Sequence, residues 1–279
     1  MSFRVFIGGL RGSRPCVGRD FEAFGGDTTC LLVVGTSGQR VVLDAGSGLS
    51  SVANELTVLG GGDVTLLFSH YHLDHMMGLT MNPLFYHPDW AFHCVGPTLG
   101  QVTVQDAVTR LLGPPYWPLS CDQMDGQFIF DEFPMKGLSV EGLHIRACAV
   151  SHPGGCLAYR IDDTVSGKAL VFATDFEWQG QTPIQEADFL NLCCHPNPAT
   201  LLIMDAHFEQ AKAEFFSGWG HTCWQDDVDI AHKTDVSQVL LGHHAPEADD
   251  KSLYDLETQV QQVMPNASIA RAGQWINIE

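Results

Sequence analysis

Short runs of apolar residues, each about the length of a β-strand, recur along the chain and are separated by turns rich in glycine and polar residues. Runs at 3–7, 29–34 and 40–43 open the chain, and Gly-Thr-Ser-Gly between the last two is typical of a hairpin turn. A further run, 63–69, ends directly at His70. The pattern predicts a first quarter of the chain that is rich in β-strands.

Five of the strand-like runs end at a His or an Asp. They are 63–69 before His70, 143–150 before Ser151-His152, 169–173 before Thr174-Asp175, 201–204 before Asp205 and 238–241 before Gly242-His243. Helical patterns fit between the strands at 73–81, 102–112, 224–234 and 252–264, and residues 113–135 have the composition of an irregular loop. This alternation predicts an α/β fold whose strand ends gather functional residues along one edge.

Composition and charge narrow the class of protein. The 279 residues are 45% hydrophobic and 17% charged, which is ample for a buried core, and no linker divides them, so one domain spanning 1–279 is expected. The net charge of −19 argues against a broad face for long nucleic acids or for an anionic membrane. We find no membrane-spanning run and no signal-peptide pattern, and the nine cysteines lack a Cys-x-x-Cys pair. A cytoplasmic protein with reduced thiols is therefore expected.

The strongest chemical signal is the motif His70-x-His72-x-Asp74-His75, which follows the run at 63–69. His70 and His72 lie two positions apart on an extended segment and can point toward one cation. Asp74 and His75 begin the next predicted helix and can face a second cation. Imidazole nitrogens and a carboxylate suit Zn²⁺, and Mn²⁺ or Fe are also compatible with them.

With this motif the sequence resembles the metallo-β-lactamase-fold superfamily of dinuclear hydrolases across essentially the whole chain. The resemblance implies a four-layer αββα sandwich with further ligands in the order His, Asp, His, each placed after a strand. The sequence supplies His152 in AVSHPGG, Asp175 in VFATDFEW and His243 in VLLGHHAPE. His244 is the alternative for the last position, and His243 is preferred because it directly follows the strand.

The same resemblance implies how the two metal ions are shared among these residues. The first ion is assigned to His70, His72 and His152, the second to Asp74, His75 and His243, and the bridge to Asp175. Asp44 matches a strand-end aspartate that orients a ligand histidine in the family. An aspartate at the bridge is typical of the glyoxalase, lactonase and ribonuclease Z-like branches, whereas common zinc β-lactamases have cysteine there.

A second motif, Gly220-His221-Thr222, resembles the His-Ser/Thr motif of ribonuclease Z-like phosphodiesterases. In that branch the histidine acts at the scissile phosphate, and a strand-end acid, here Asp205, steadies it. The segments HPGGCLAYRI, ATDFE, DAHF and GWGHTCW are closer still to bacterial and phage-encoded enzymes that hydrolyse small cyclic nucleotides. His207 and Phe208 depart from that pattern, because Gln and Tyr are common at these positions.

The expected function is therefore a dinuclear phosphodiesterase, most simply of a cyclic nucleotide. A metal-bridging hydroxide would attack, Asp74 would orient it and accept its proton, and His221 would act as general acid. Alternatives are a ribonuclease Z-like tRNA 3′ endonuclease and a lactonase or thioesterase of the same fold. In related ribonucleases a tRNA-binding arm is inserted between the third His ligand and the bridging Asp. The 23 positions from His152 to Asp175 leave no room for such an arm. No membrane partner or long nucleic acid is expected, and a homodimer is expected by analogy.

Overall fold

Two seven-stranded sheets form the centre of the computed structural model, which describes residues 1–209 and 214–279. In spatial order, the first sheet contains β14 (Gln274–Asn277), β1 (Arg4–Gly9), β2 (Cys30–Val34), β3 (Arg40–Leu43), β4 (Gly62–Leu67), β5 (Trp90–Gly96) and β6 (Gln127–Glu132). The second contains β13 (Ala267–Ile269), β12 (Gln238–Gly242), β11 (Leu201–Asp205), β10 (Lys168–Ala173), β9 (Cys156–Asp163), β8 (Leu143–Val150) and β7 (Leu138–Val140). Both sheets mix parallel and antiparallel pairs.

Five α-helices among the described residues cover the outer faces of the sheets. They are α1 (Leu49–Leu59), α2 (Val104–Leu111), α3 (Pro183–Cys194), α4 (Trp224–Thr234) and α5 (Asp250–Val263). The first two pack on the first sheet and the other three on the second. The predicted αββα sandwich is thus confirmed. In residues 1–209 and 214–279, no helix combines the length and apolarity needed to cross a membrane.

Three apolar cores separate the four layers. Alternate residues of β2 show how one strand serves two of them, because Leu31 packs between the sheets and Leu32 packs toward α1 and α2. Phe172 lies between the sheets, and its neighbour Val171 faces the core beneath α3, where Phe189 packs. Strands that are buried on both faces carry continuous apolar runs, which is why these strands are visible in the sequence.

The strand register brings the chemically interesting strand ends to one edge. In the first sheet β3 and β4 are parallel, with Leu43 opposite Leu67. In the second, β10, β11 and β12 are parallel, and Asp205 lies opposite Gly242. Because parallel strands end side by side, the residues that follow them share this edge.

The helix predicted over 73–81 is wrong. The chain there forms two short 3₁₀ segments, Leu73–His75 and Met77–Met81, because backbone groups bond elsewhere. Ala45 N–H donates to the His75 carbonyl, and Gly78 N–H donates to the Ala45 carbonyl. A Cβ on Gly78 would lie 1.9 Å from the Gly46 carbonyl oxygen, so only glycine permits this approach.

Several further elements differ from the sequence-based expectation, among them strands β5, β7, β13 and β14, which were not predicted. Helices α1 and α3 lie in stretches for which no helix was predicted. The region 113–135 contains β6, whose Phe128 and Phe130 pack against the core beneath α2. That region is thus irregular only in part.

Candidate metal centre

Three histidines from two loops form a group that we call the open triad. The loop after β4 carries His70 and His72, and the loop after β8 carries His152. Their ligand atoms lie within 4.8 Å of one another, and His152 Nε2 is 3.0 Å from His72 Nδ1. His70 and the side chain of His152 are buried, whereas His72 is exposed. The triad therefore has one side open to solvent.

Four buried side chains form a second group, the closed cluster, beside the triad. They are Asp74, His75, Asp175 and His243. His75 Nε2 lies 2.8 Å from Asp175 Oδ2 and 3.5 Å from Asp74 Oδ2. His243 places Nδ1 3.1 Å from Asp175 Oδ2 and Nε2 3.9 Å from Asp74 Oδ2. Asp74 and His75 belong to the 3₁₀ segment Leu73–His75, and Asp175 and His243 lie on the loops that follow β10 and β12.

The carboxylate of Asp175 lies between the two groups. Its Oδ1 is 3.8 Å from His152 Nε2 and 4.0 Å from His70 Nε2. Its Oδ2 faces His75 and His243. One side chain thus offers one oxygen to each group, as a bridging ligand would.

The unsatisfied atoms of this centre fit divalent metal ions. His70 Nε2 and His243 Nε2 are buried and have no hydrogen-bond partner. His75 Nε2 and Asp175 Oδ2 are buried too and face each other at 2.8 Å within the closed cluster. Burial of such atoms without a partner is costly, and a cation would satisfy all of them. Imidazole and carboxylate are the donors that Zn²⁺ takes in proteins.

Protonation favours the same conclusion. Burial, reinforced by neighbouring histidines, holds the pKa of His70 and of His243 well below the ordinary value, so both imidazoles are neutral. Burial opposes a proton on His75, but the carboxylates of Asp175, Asp44 and Asp74 raise its pKa well above the ordinary value. A divalent cation at this position would take the place of that proton.

Asp44 fixes the orientation of His75 from behind. His75 Nδ1 donates to Asp44 Oδ2 at 2.8 Å, which turns Nε2 toward the closed cluster. Ser69 donates to the same carboxylate from its backbone N–H and from its hydroxyl, both at 2.7 Å. A carboxylate behind a ligand histidine is common at metal sites, because it sets both the ring's tautomer and its direction.

Left-handed backbone occurs repeatedly at this edge. Six non-glycine residues in the described part of the chain have clearly positive φ, and four of them belong to the centre. They are Ser13 at 61°, Asp44 at 56°, Asp175 at 59° and His243 at 52°. Ser13 uses this geometry to donate its N–H to Asp74 Oδ2 at 2.8 Å. Each such position costs about 1–2 kcal/mol relative to ordinary backbone.

His221 and Asp205 form an ion pair beside Asp175. His221 Nδ1 donates to Asp205 Oδ2 at 2.8 Å and lies 4.0 Å from Asp175 Oδ1. The Asp175 backbone N–H also donates to Asp205 Oδ2, at 3.0 Å. Burial opposes protonation of His221, but Asp205, with smaller contributions from Asp175 and Asp74, raises its pKa to about 9. These carboxylates thus favour the protonated form of His221.

His207 contacts this pair, although no functional role was expected for it. Its ring stacks on His221 with centroids 4.2 Å apart and planes inclined by 13°. Its backbone N–H donates to Asp205 Oδ1, and its Nδ1 donates to the His243 carbonyl, each at 2.9 Å. His207 thus links the strand ends that carry Asp205 and His243.

Glu177 holds the loop that carries His221. Its carboxylate accepts from the backbone N–H of Gly218 at 2.8 Å and of Gly220 at 3.1 Å. The Gly220 carbonyl in turn accepts from His152 Nδ1 at 2.9 Å. Glu177 is two residues from Asp175, but nothing in the spacing reveals that it folds back onto a loop some 40 positions away.

His244, the alternative to His243, lies apart from both groups. Its side chain is buried, and both ring nitrogens lack a hydrogen-bond partner. Burial, with a smaller contribution from Arg11, lowers its pKa to about 3. In the described part of the chain, the structure brings His243 and not His244 into the ligand groups.

The fold is shared with solved structures along its full length. The metallo-β-lactamase fold protein YhfI from Bacillus subtilis superposes with a TM-score of 0.71 at 18% identity, covering 98% of each chain. The chain has the metallo-β-lactamase fold. A diphosphatase of the PhnP family with the same fold gives 0.70 at 14% identity, covering 99% of this chain and 98% of the other. Zn²⁺-bound PqqB from Methylobacterium extorquens gives 0.64 at 13%, covering 98% and 99%.

Sequence comparison gives a weaker likeness to a ribonuclease Z. Ribonuclease Z from Clostridium acetobutylicum is 26% identical over 167 residues, which are 55% of this chain and 47% of that protein. The match therefore spans about half the length of this relative. No family model matches the chain. Structures this distant in sequence establish the fold and leave the activity to be argued from the site.

Proposed function

We propose that this chain is a dinuclear metal-dependent phosphodiesterase acting on a small phosphodiester, preferably a cyclic nucleotide. The observation that carries the proposal is the ion pair of His221 and Asp205 beside the shared carboxylate of Asp175. Two metal ions can serve enzymes that hydrolyse many kinds of bond, so they do not identify the reaction. A protonated histidine at the same edge of the sheets is more specific, because it suits a reaction whose leaving group needs a proton.

The open triad and the closed cluster would each hold one metal ion, with Asp175 between them. Zn²⁺ is the preferred ion, supported by the donor set and by the Zn²⁺-bound structure of the same fold, with Mn²⁺ or Fe as alternatives. Two such ions supply Lewis acidity at the phosphoryl oxygens and lower the pKa of a bound water. The protein's own residues provide the remaining chemistry.

His221 donates the proton that the departing alkoxide needs. An alkoxide is a poor leaving group at neutral pH, so a positioned acid contributes about 10²–10⁴-fold to the rate. Asp205 holds His221 protonated and fixes its ring through Nδ1. Asp74, a member of the closed cluster that the Ser13 N–H holds in place through Oδ2, orients the attacking water and accepts its proton.

Transfer-RNA processing is the second candidate, and the likeness to ribonuclease Z favours it. Two features favour a small substrate instead. Between His152 and Asp175 the chain forms only β9, a turn and β10, without an inserted arm. The net charge of −19 also disfavours a long polyanion, whereas a small diester needs only a locally positive centre.

The test is to load the protein with Zn²⁺ or Mn²⁺ and to measure turnover of a substrate panel. The panel contains 3′,5′-cyclic and 2′,3′-cyclic nucleotides, cyclic dinucleotides, precursor tRNA, an acyl-homoserine lactone and a β-lactam. We expect turnover of a cyclic nucleotide. Cleavage of precursor tRNA alone would favour the second candidate, and turnover of only the lactone or the β-lactam would overturn the proposal.

The matched variant is His221→Ala, with His232→Ala as its control because His232 is an exposed histidine of α4. We expect kcat for the best substrate to fall about 10²–10⁴-fold in His221→Ala. Bound metal should stay unchanged, and the control should behave as wild type. Equal turnover in His221→Ala and wild type would remove the acid from the mechanism.

A further inference from the structure

A cavity of about 570 Å³ opens beside the open triad. Among the described residues its wall includes His70 and His72 but neither His221 nor Asp205. The cavity therefore adjoins the metal side of the centre rather than the side that holds the acid. Its volume falls within the range of about 300–1,000 Å³ that is usual for small-molecule sites.

The rest of the wall is apolar or aromatic except for one cation, Arg110. Met76 forms a buried part of it, and Tyr71, Leu99 and Val102 contribute further apolar surface. No carboxylate of the described residues lines the cavity, although the chain contains 33 Asp and Glu. Because carboxylates are so common in this chain, a wall that contains none of them favours an uncharged apolar ligand.

The cavity is built on ordered elements. Helix α2 lines it with Ala107, Arg110 and Leu111, which share one helix face at spacings of three and four residues. The helix begins at a reciprocal capping box between Thr103 and Asp106. These bonds fix the start of the helix that lines the cavity.

Two glycines keep the passage between the cavity and the triad open. Gly154 and Gly155 follow His152 with φ of +86° and +92°, a conformation that other residues rarely adopt. A Cβ on Gly154 would lie 4.0 Å from His72 Nε2. A Cβ on Gly155 would lie only 3.0 Å from Leu99 Cδ2. The pair thus lets the cavity wall approach the metal ligands without a side chain between them.

The aromatic groups of the wall present rings rather than polar atoms. The Tyr71 hydroxyl donates to the Pro97 carbonyl, so that hydroxyl is already engaged. Tyr116 is 73% exposed, which places it toward solvent together with the exposed Arg110. A guanidinium and aromatic rings both stack well on flat π systems.

We propose that this cavity binds a flat, uncharged aromatic group that the substrate diester carries, such as the base of a cyclic nucleotide. We call this group the arm. The inference rests on the proposed function, because a phosphoryl group at the metals brings the arm to His70 and His72. The arm enters past Gly154 and packs against the apolar wall. Arg110 and Tyr116 cover it at the solvent side.

The experiment compares diesters that share one leaving group. Methyl p-nitrophenyl phosphate and the p-nitrophenyl ester of thymidine 5′-phosphate both release p-nitrophenolate, and only the second carries an aromatic base. In the Zn²⁺-loaded wild type we expect kcat/KM for the thymidine ester to exceed that for the methyl ester by about tenfold or more.

The test variant is Ala107→Phe, which fills the cavity. Its control is Thr109→Phe, because Thr109 is exposed on the same helix and does not line the cavity. We expect Ala107→Phe to lose the preference for the thymidine ester and to keep the methyl ester within about twofold, since only the arm's contacts change. Val102→Phe is a second filling variant in case Ala107→Phe does not fold. Thr109→Phe should retain the preference.

A binding measurement separates this inference from the proposed function. Calorimetry with the Zn²⁺-loaded protein should show phenylphosphonate binding about tenfold more tightly than methylphosphonate, with the difference lost in Ala107→Phe. If neither diester is hydrolysed but this difference persists, the proposed function fails and the aromatic site stands. If filling the cavity affects both ligands equally, or affects neither, the aromatic site is wrong.

Discussion

The open triad and the closed cluster use the same kinds of side chain in opposite surroundings. The closed cluster is buried throughout and is braced by Asp44 behind His75 and by the Ser13 N–H on Asp74. The open triad exposes His72 and borders an apolar cavity. Under the proposed function the two groups would have different duties. The closed cluster would retain its ion, and the open triad would present its ion to the substrate.

The largest effect is expected where the two groups meet, at Asp175. Asp175→Asn removes the charge that both groups share, so bound metal should fall from two ions to fewer than one. Activity should drop by about 10³-fold or more, which corresponds to about 4 kcal/mol. Metal content by plasma mass spectrometry and kcat/KM check this expectation.

His72→Ala is the companion variant, because it affects only the open triad. It should release one ion and leave the closed cluster loaded. If His72→Ala and Asp175→Asn lose equal amounts of metal, the difference between the two groups disappears.

A smaller effect is expected on the pH dependence of kcat. It arises from His221, the proposed acid on the side of the centre away from the cavity. The pKa of His221 is raised to about 9, so its proton is present below that pH and is lost as the pH rises through it. Ions bound at Asp74 and Asp175 counteract the contribution of those residues, and Asp205 remains the main support. The basic limb of the kcat profile should therefore lie at or below pH 9, and Asp205→Asn should move it toward the ordinary value of about 6.5.

The measurement is a pH profile of kcat with a non-activated diester. Asp229→Asn is the control, because Asp229 is an exposed carboxylate of α4. An unmoved basic limb in Asp205→Asn would show that His221 is not the group whose protonation limits turnover.

The smallest effect is expected at Glu177, which positions the loop between the open triad and the acid. Glu177→Gln keeps the shape but weakens acceptance from the N–H groups of Gly218 and Gly220, so kcat should fall up to about tenfold. Glu186→Gln is the control, because Glu186 is a partly exposed carboxylate of α3 that lies near Lys233 and away from the centre. A fall in kcat without a change in KM or thermal stability would identify positioning, whereas a fall in stability alone would identify a structural role.

Much of the fold was predictable because strands buried on both faces have apolar runs that can be read directly. The runs before His70, Asp175 and His243 correspond to β4, β10 and β12. Helix α1 was missed although Leu49, Val52, Ala53 and Leu56 have helical spacing and are buried. The helix predicted over 73–81 was wrong for another reason. The backbone of this segment bonds to the loop at Ala45, and the local sequence gives no indication of such a tertiary contact.

The candidate site also contains residues that were predictable from the sequence and residues that were not. Asp175 and His243 were predictable because each lies within two residues of the end of a parallel strand, and parallel strands end together. His207 and Glu177 were not predictable, because their roles depend on which distant loop lies beside them. Ser13 acts only through its backbone N–H, for which residue identity gives little indication.

Asp44, Asp175 and His243 hold left-handed backbone that glycine would adopt without strain. Replacement by glycine relaxes the chain at these positions and removes the donor at the same time. The strain at these positions is therefore retained together with the donor atoms of the centre. Engineering toward thermal tolerance should leave these three positions untouched and search the helices on the outer layers instead.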